Sequence, residues 1–206
     1  SAASDVYKRQ VTLFMFVDFN TISPGANDNL TGTYAAVCAL RMLDMAGVDF
    51  ENTEVCAMIT DGEEAGLRGC KSWAKNHYDE YVNSGVETVV LCVDTLTDRE
   101  YLRVYNKDMT GTVKNNQQFS QLVMNASKDA GHDDIELSSV FFGSSDAAAF
   151  SQAGITATCL AAMDPRPADY YHNRRDTADR LVPETIKTGF DVIISTILNF
   201  DEKGLN

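Results

Sequence analysis

The sequence predicts an α/β fold, a three-layer sandwich in which a mostly parallel central sheet carries helices on both faces. Three observations point to it. Apolar runs of strand length alternate along the chain with amphipathic stretches of helical period. Some of these runs, such as Val89-Val90-Leu91-Cys92-Val93, are apolar throughout, which suits strands buried on both faces. Acidic residues and a histidine fall just after the runs, at the strand ends where open α/β sheets place their sites.

The elements follow in order. Residues 11–19 form a continuous apolar run and read as a buried strand. Residues 21–31 read as a loop, with Pro24, Gly25, Asn27, Asp28 and Asn29. Residues 32–46 read as a helix with Ala36, Leu40 and Leu43 on one face and Gly47 at its end. Residues 54–60 suit a second strand, and residues 67–77 a helix carrying the one tryptophan, Trp73. Residues 87–93 suit a third strand, and residues 101–105 alternate like an edge strand. Residues 115–130 read as a helix ended by Gly131, and 145–153 as a short helix ended by Gly154. Residues 155–162 suit the last strand, and residues 183–200 a closing amphipathic helix.

At 206 residues, the chain suffices for one substantial core and is short for two. Residues 11–206 read as a single catalytic domain with its N-terminal part missing. Residues 1–10 resemble the in-frame translation of a sequencing adapter, in Asp5-Val6-Tyr7-Lys8-Arg9-Gln10, and are set aside. The net charge of -13 and the lack of any Lys/Arg block exclude a nucleic-acid partner, because nothing could neutralise phosphates. The acidity suits cationic ligands such as free amines. Five cysteines without a CxxC spacing favour a reducing compartment over a disulfide scaffold. Cys38, Cys56, Cys92 and Cys159 lie in apolar surroundings and read as buried small hydrophobes. No run reaches the ~20 apolar residues of a membrane helix. Membrane association of a longer protein is left open, as is the oligomeric state.

The chemistry begins at Asp61-Gly62-Glu63-Glu64-Ala65-Gly66-Leu67. Adjacent residues leaving a strand point in different directions. One carboxylate can therefore hold a metal while its neighbour takes a proton from water, the division of labour that metal-assisted hydrolysis needs. An acidic pair before a helix also simply complements the helix dipole, so the pair gains meaning only from company. That company is Asp28 after the first strand, Asp94 at the end of the third and His172 after the last. Taken singly, these are a turn residue, a strand terminator and a loop histidine. Taken together, carboxylates and one imidazole at strand exits suit zinc, and a shared Asp suits a two-metal site.

These segments, with Ser23-Pro24-Gly25-Ala26-Asn27-Asp28-Asn29-Leu30-Thr31-Gly32, Ser145-Asp146 with Phe150, and Tyr171-His172 with Asp176-Thr177, resemble the co-catalytic zinc aminopeptidases. That family includes secreted bacterial leucyl aminopeptidases, glutamate carboxypeptidase and animal glutaminyl cyclases. The resemblance runs from about Asp18 to the C-terminus. It implies a zinc-dependent exopeptidase, an aminopeptidase, acting on peptides with a free N-terminus and using two zinc ions in the full-length protein. Asp28 would bridge the two ions, Glu64 and His172 would complete one, and Asp94 would bind the other. Glu63 would be the general base and Tyr171 would stabilise the oxyanion. Asp146 and Asp176 would support the ligands from behind.

One departure qualifies the resemblance. The family places a His-x-Asp motif before the bridging Asp; here Asp18 has Phe16 where the histidine should stand. Phenylalanine cannot bind zinc. Either the ligand was lost, or an insertion separates the motif and the histidine lay upstream of the adapter junction. The apolar run starting at that junction favours truncation. The chain as written then holds one zinc or none and is expected to be a weak or inactive enzyme by itself. Two rival readings follow: a single-zinc acyltransferase like glutaminyl cyclase, needing only Asp28, Glu64 and His172, and a non-catalytic domain of the same fold. Metal content separates them. Arg174 and Arg175, close to His172, read as a solvated pair rather than a carboxylate clamp.

Overall fold

The computed structural model describes residues 22–166 and 168–205. The run at residues 11–19, Phe16, Asp18 and the first ten residues lie outside them. The chain enters through Gly25, at φ 68°, into a wide helical turn, Ala26–Thr31, where the sequence read only loop. Helix α1, Gly32–Met45, follows directly. Its inner face is built from Ala35, Ala39 and Leu43, and the small alanines let its axis come close to the sheet. Cys38 lies on the opposite face and is exposed, as is Cys56, so neither is the buried hydrophobe expected.

Residues 54–60, expected as a strand, form no ladder among the described residues. The stretch alternates in exposure, with Glu54, Cys56 and Ile59 turned outward. A strand exists only by pairing, and these residues pair with none of the described strands. The loop of residues 61–67 then winds tightly: Gly66 N and Leu67 N both donate to Glu63 O at 2.8 Å, and Arg68 N to Gly62 O at 3.0 Å. Helix α2, Arg68–Tyr81, starts there and buries Cys70 and Ala74.

Strand β1 is Val89–Asp94 and β2 is Leu102–Asp108. β3, Val113–Lys114, is a short return. Helix α3, Gln117–Asp129, is capped by Asn116, whose side chain accepts from Phe119 N at 2.9 Å. After β4, Leu137–Ser139, comes α4, Asp146–Gln152, capped by Ser145. Strand β5 is Thr156–Ala162, and α5, Pro183–Lys203, closes the chain with Pro183 in its first turn.

The sheet runs β1-β5-β2-β3, with β4 also pairing with β2. β1 and β5 are parallel, in register from Val89 with Thr156 to Asp94 with Ala161, and β2 with β4 is parallel. β2 is antiparallel to β5 and to β3. The described sheet is thus mixed, with two parallel and two antiparallel strand pairings, and the longest register, β1 with β5, is parallel. β2 is not an edge strand: its apparent alternation hides a two-faced burial. Leu102 and Val104 join one core and Tyr105 joins the other. The tyrosine ring packs while its one hydroxyl proton is shared between Tyr101 O at 3.2 Å and Met163 O at 3.3 Å.

Helices cover both faces. On one, α2 and α4 pack Cys70, Ala74, Ala147 and Phe150 against Ala157, Cys159 and Ala161 of β5. On the other, α1, α3 and α5 pack Ala35, Phe119, Val123, Val192 and Ile193 against Leu160 and Ala162. Each fully buried large side chain contributes ~1.5–3 kcal/mol. Because β1 and β5 are parallel, both end on the same side, and β2 begins there. The segments leaving β1 and β5 thus meet the turn before α1 at the carboxyl edge, the place open α/β sheets reserve for a site. Among the described residues no helix is long and apolar enough to cross a membrane.

Candidate metal centre

Asp28 stands in the turn before α1. The turn is held by side chains whose amides and hydroxyls replace a regular ladder. Asp176, only 1% exposed, accepts from Asn27 N (2.8 Å) and Asp28 N (2.9 Å) with its two carboxylate oxygens. Asn29 ties the other side to β1: its amide donates to Val93 O (2.9 Å), and its oxygen accepts from Gly32 N (2.9 Å) and Thr95 N (3.3 Å). A glycine is required at Gly32, where a Cβ would lie 2.3 Å from Val93 O. Asp28 is thereby fixed between the exits of β1 and β5.

Glu63 and Glu64 sit in the loop before α2, and His172 lies ten residues beyond β5, at φ 55°. His172 Nε2 is 3.1 Å from Asp28 Oδ2 and 3.0 Å from Glu64 Oε1. The three donor atoms all lie within 4.8 Å of one another. Asp94 stands outside that trio, at the end of β1, where the strand ladder fixes its position. Its Oδ1 is buried without a hydrogen-bond partner among the described residues. Tyr171 stacks on His172, with ring centroids 3.7 Å apart and planes at 20°. Asp146, first in α4, accepts from Thr60 Oγ1 at 3.1 Å, just ahead of the Glu63 loop, and its Oδ1 is likewise unpartnered. Asp176 lies behind Asp28, gripping its backbone. Arg174 and Arg175 are exposed, and Arg175 pairs with Asp169 at 3.5 Å.

The electrostatics follow from crowding carboxylates around one imidazole. Burial pushes the Asp94 carboxyl well above its ordinary range, and Asp28, Glu63, Asp146 and Glu64 push it further. Burial also raises Glu63 to about 7, aided by Glu64, Asp146 and Asp28 and opposed by His172. Burial alone would lower His172, but its hydrogen bonds with Asp28 and Glu64 prevail and raise it to about 10. The Tyr171 hydroxyl is raised by burial and by the same carboxylates. A cluster this rich in negative charge, with a buried carboxylate oxygen lacking a donor among the described residues, is short of positive charge. Carboxylate and imidazole donors at this spacing fit a divalent metal such as zinc.

Asn27 and Asn29, which hold Asp28 in place, were read in the sequence only as turn formers. The signal available was a pair of asparagines flanking an acid, which turns use as often as sites do.

A model of the peptidase family M28 matches residues 5–197. The chain belongs to peptidase family M28. A curated relative, aminopeptidase YwaD of Bacillus subtilis (strain 168), is 26% identical in an alignment 196 residues long that covers 85% of this chain and 37% of that protein. This chain thus spans well under half of that relative. The structure resembles a zinc aminopeptidase from Bacillus subtilis, with a TM-score of 0.61, 22% identity, and 85% of this chain and 42% of that one covered. It also resembles a glutaminyl cyclase from an Acidobacteriales bacterium, with a TM-score of 0.64, 16% identity, and 87% and 63% covered. At these identities the two structures speak for the M28 fold, the α/β sandwich with helices on both sheet faces.

Proposed function

We propose that the protein is a zinc-dependent exopeptidase, an aminopeptidase that hydrolyses N-terminal residues from peptides, with Glu63 as general base. The observation that carries this reading is the convergence of Asp28, Glu64 and His172 beside a half-buried Glu63. Membership of M28 and likeness to a protein named aminopeptidase support it.

In this reading Asp28, Glu64 and His172 would hold one zinc, and Asp28 with Asp94 would face a second, which lacks its histidine in this chain. Zinc held there supplies Lewis-acid polarisation of the scissile carbonyl and acidifies water. The remaining work belongs to the side chains. Glu63, next to a ligand but free of that duty, accepts the proton of the attacking water and delivers it to the departing amine. A carboxylate whose pKa lies near neutrality is suited to both transfers. Tyr171, stacked on His172, offers a hydroxyl to the oxyanion that develops on the carbonyl. Carboxylate oxygens left over from ligation hold the substrate's α-ammonium group, which is cationic below a pKa of about 7.7–8.0. Arg174 and Arg175 beside His172 are exposed, and Arg175 pairs with Asp169 rather than forming a clamp for a substrate carboxylate, which favours cleavage at the amino end over carboxypeptidase action.

One observation favours a second reading. The trio of two carboxylates and one histidine is all that a single-zinc, glutaminyl-cyclase-like acyltransferase requires, and it tolerates the absent histidine. The test compares a free peptide with its N-acetylated counterpart as substrates of the full-length protein. Hydrolysis confined to the free peptide is expected. Equal turnover of both would rule out recognition of the amino group, and cyclisation of N-terminal glutamine without hydrolysis would shift the assignment to the acyltransferase.

A further inference from the structure

The three segments that carry Asp28, Asp94 and His172 meet at one hydroxyl. Tyr170 is 8% exposed and precedes the Tyr171-His172 pair. Its hydroxyl donates to Asp98, in the segment leaving β1 just past Asp94. The same oxygen accepts from Asn27 Nδ2 at 3.4 Å, in the turn that presents Asp28. Asn27 is itself fixed, for its Oδ1 accepts from Thr97 N at 3.1 Å. The His172 loop thus grips the Asp28 turn at two points, one on each side of His172. Asp176 holds the backbone and Tyr170 holds the side chain of Asn27. Only the second grip also reaches the Asp94 segment.

We infer that Tyr170 is a positioning residue whose hydroxyl sets the mutual spacing of Asp28, Asp94 and His172, and so tunes how tightly the centre holds a divalent cation. This rests on reading that centre as a metal site. The hydroxyl, rather than the ring, is the active part. The ring packs and carries the Arg180 guanidinium 5.5 Å from its centroid, and a phenylalanine keeps both roles. Removing the hydroxyl breaks the loop's bonds to Asn27 and Asp98 at once, so that only the Asp176 grip on the Asp28 turn remains, and leaves the Asp98 carboxylate without its donor. Groups that orient ligands from behind typically govern about 10–100-fold in metal affinity.

The experiment is a zinc titration of the metal-free chain with a competing chelator, read as affinity, alongside circular dichroism and a melting curve. Tyr170→Phe is expected to weaken zinc binding by about 10–100-fold with the spectrum unchanged. Asp98→Ala keeps the ring and the bond from Asn27 but removes the hydroxyl's acceptor, and should also weaken zinc binding. Asp98→Asn keeps an acceptor oxygen and should lose less affinity than Asp98→Ala. Undiminished affinity in Tyr170→Phe overturns the inference. Should that variant fail to fold, undiminished affinity in Asp98→Ala overturns it instead. His172→Ala separates this from the larger question: if the parent chain binds zinc no better than His172→Ala, the metal-site reading itself has failed.

Discussion

At the scale of residues, the division between Glu63 and Glu64 is the sharpest feature. Glu64 points its Oε1 to His172, while Glu63 is half-buried and lifted toward neutrality by burial and by its acidic neighbours. Glu63→Gln is nearly isosteric and removes no proposed ligand, so the melting curve and zinc content should be unchanged. Hydrolysis by the full-length protein should fall by ~10²–10⁴, in kcat rather than KM, because the amide accepts no proton. Normal turnover in this variant would remove Glu63 as the base. The proposed ligands were legible in the sequence because each follows a strand-like run and the acidic pair repeats a recognisable pattern. Asn27, Asn29, Asp98 and Tyr170 were not. Their partners lie tens of residues away, and a hydrogen bond between distant segments leaves no periodicity to read.

At the scale of elements, sequence and structure agree where apolar period and end signals coincide. Helix α1 was expected at residues 32–46 and spans Gly32–Met45, and β5 was expected at 155–162 and spans Thr156–Ala162. They part where pairing decides. Residues 54–60 have a strand's composition but no described partner, and β2 sits inside the sheet because tyrosine packs like an apolar residue. Strand direction was also hidden, since nothing in β2 itself says that it runs against β5. The approach of α1 to β1 gives a test at this scale. A Cβ at Gly32 would meet Val93 O at 2.3 Å and Asn29 Oδ1 at 2.5 Å, both parts of the frame that holds Asp28. Gly32→Ala should therefore destabilise the fold by about 1–3 kcal/mol, read as a lower urea midpoint, with weaker zinc binding. An unchanged midpoint would mean that the helix can back away from the strand at no cost.

At the scale of the whole molecule, two cores on opposite faces clamp the sheet and leave its carboxyl edge to polar loops that converge on the proposed centre. The metal-free protein should therefore couple protons to zinc. Burial would lower His172, but the hydrogen bonds with Asp28 and Glu64 raise it to about 10 from an ordinary 6.5. The sign follows: a raised imidazole stabilises the metal-free fold fully below its ordinary pKa, and that contribution is lost as pH rises through about 10. Zinc must displace the same proton, so its affinity should climb with pH across this range. Calorimetric titrations in two buffers of different ionisation enthalpy should give different heats, and identical heats would contradict proton release.

The most direct test of the metal-centre account is the zinc content of the purified chain after dialysis, measured by mass spectrometry for the parent and for His172→Ala and Glu64→Ala. The account predicts one tightly held zinc per chain, lost in both variants, with the Asp28–Asp94 position empty or loosely filled for want of its histidine. No retained zinc in the parent, or equal retention in the variants, would contradict it.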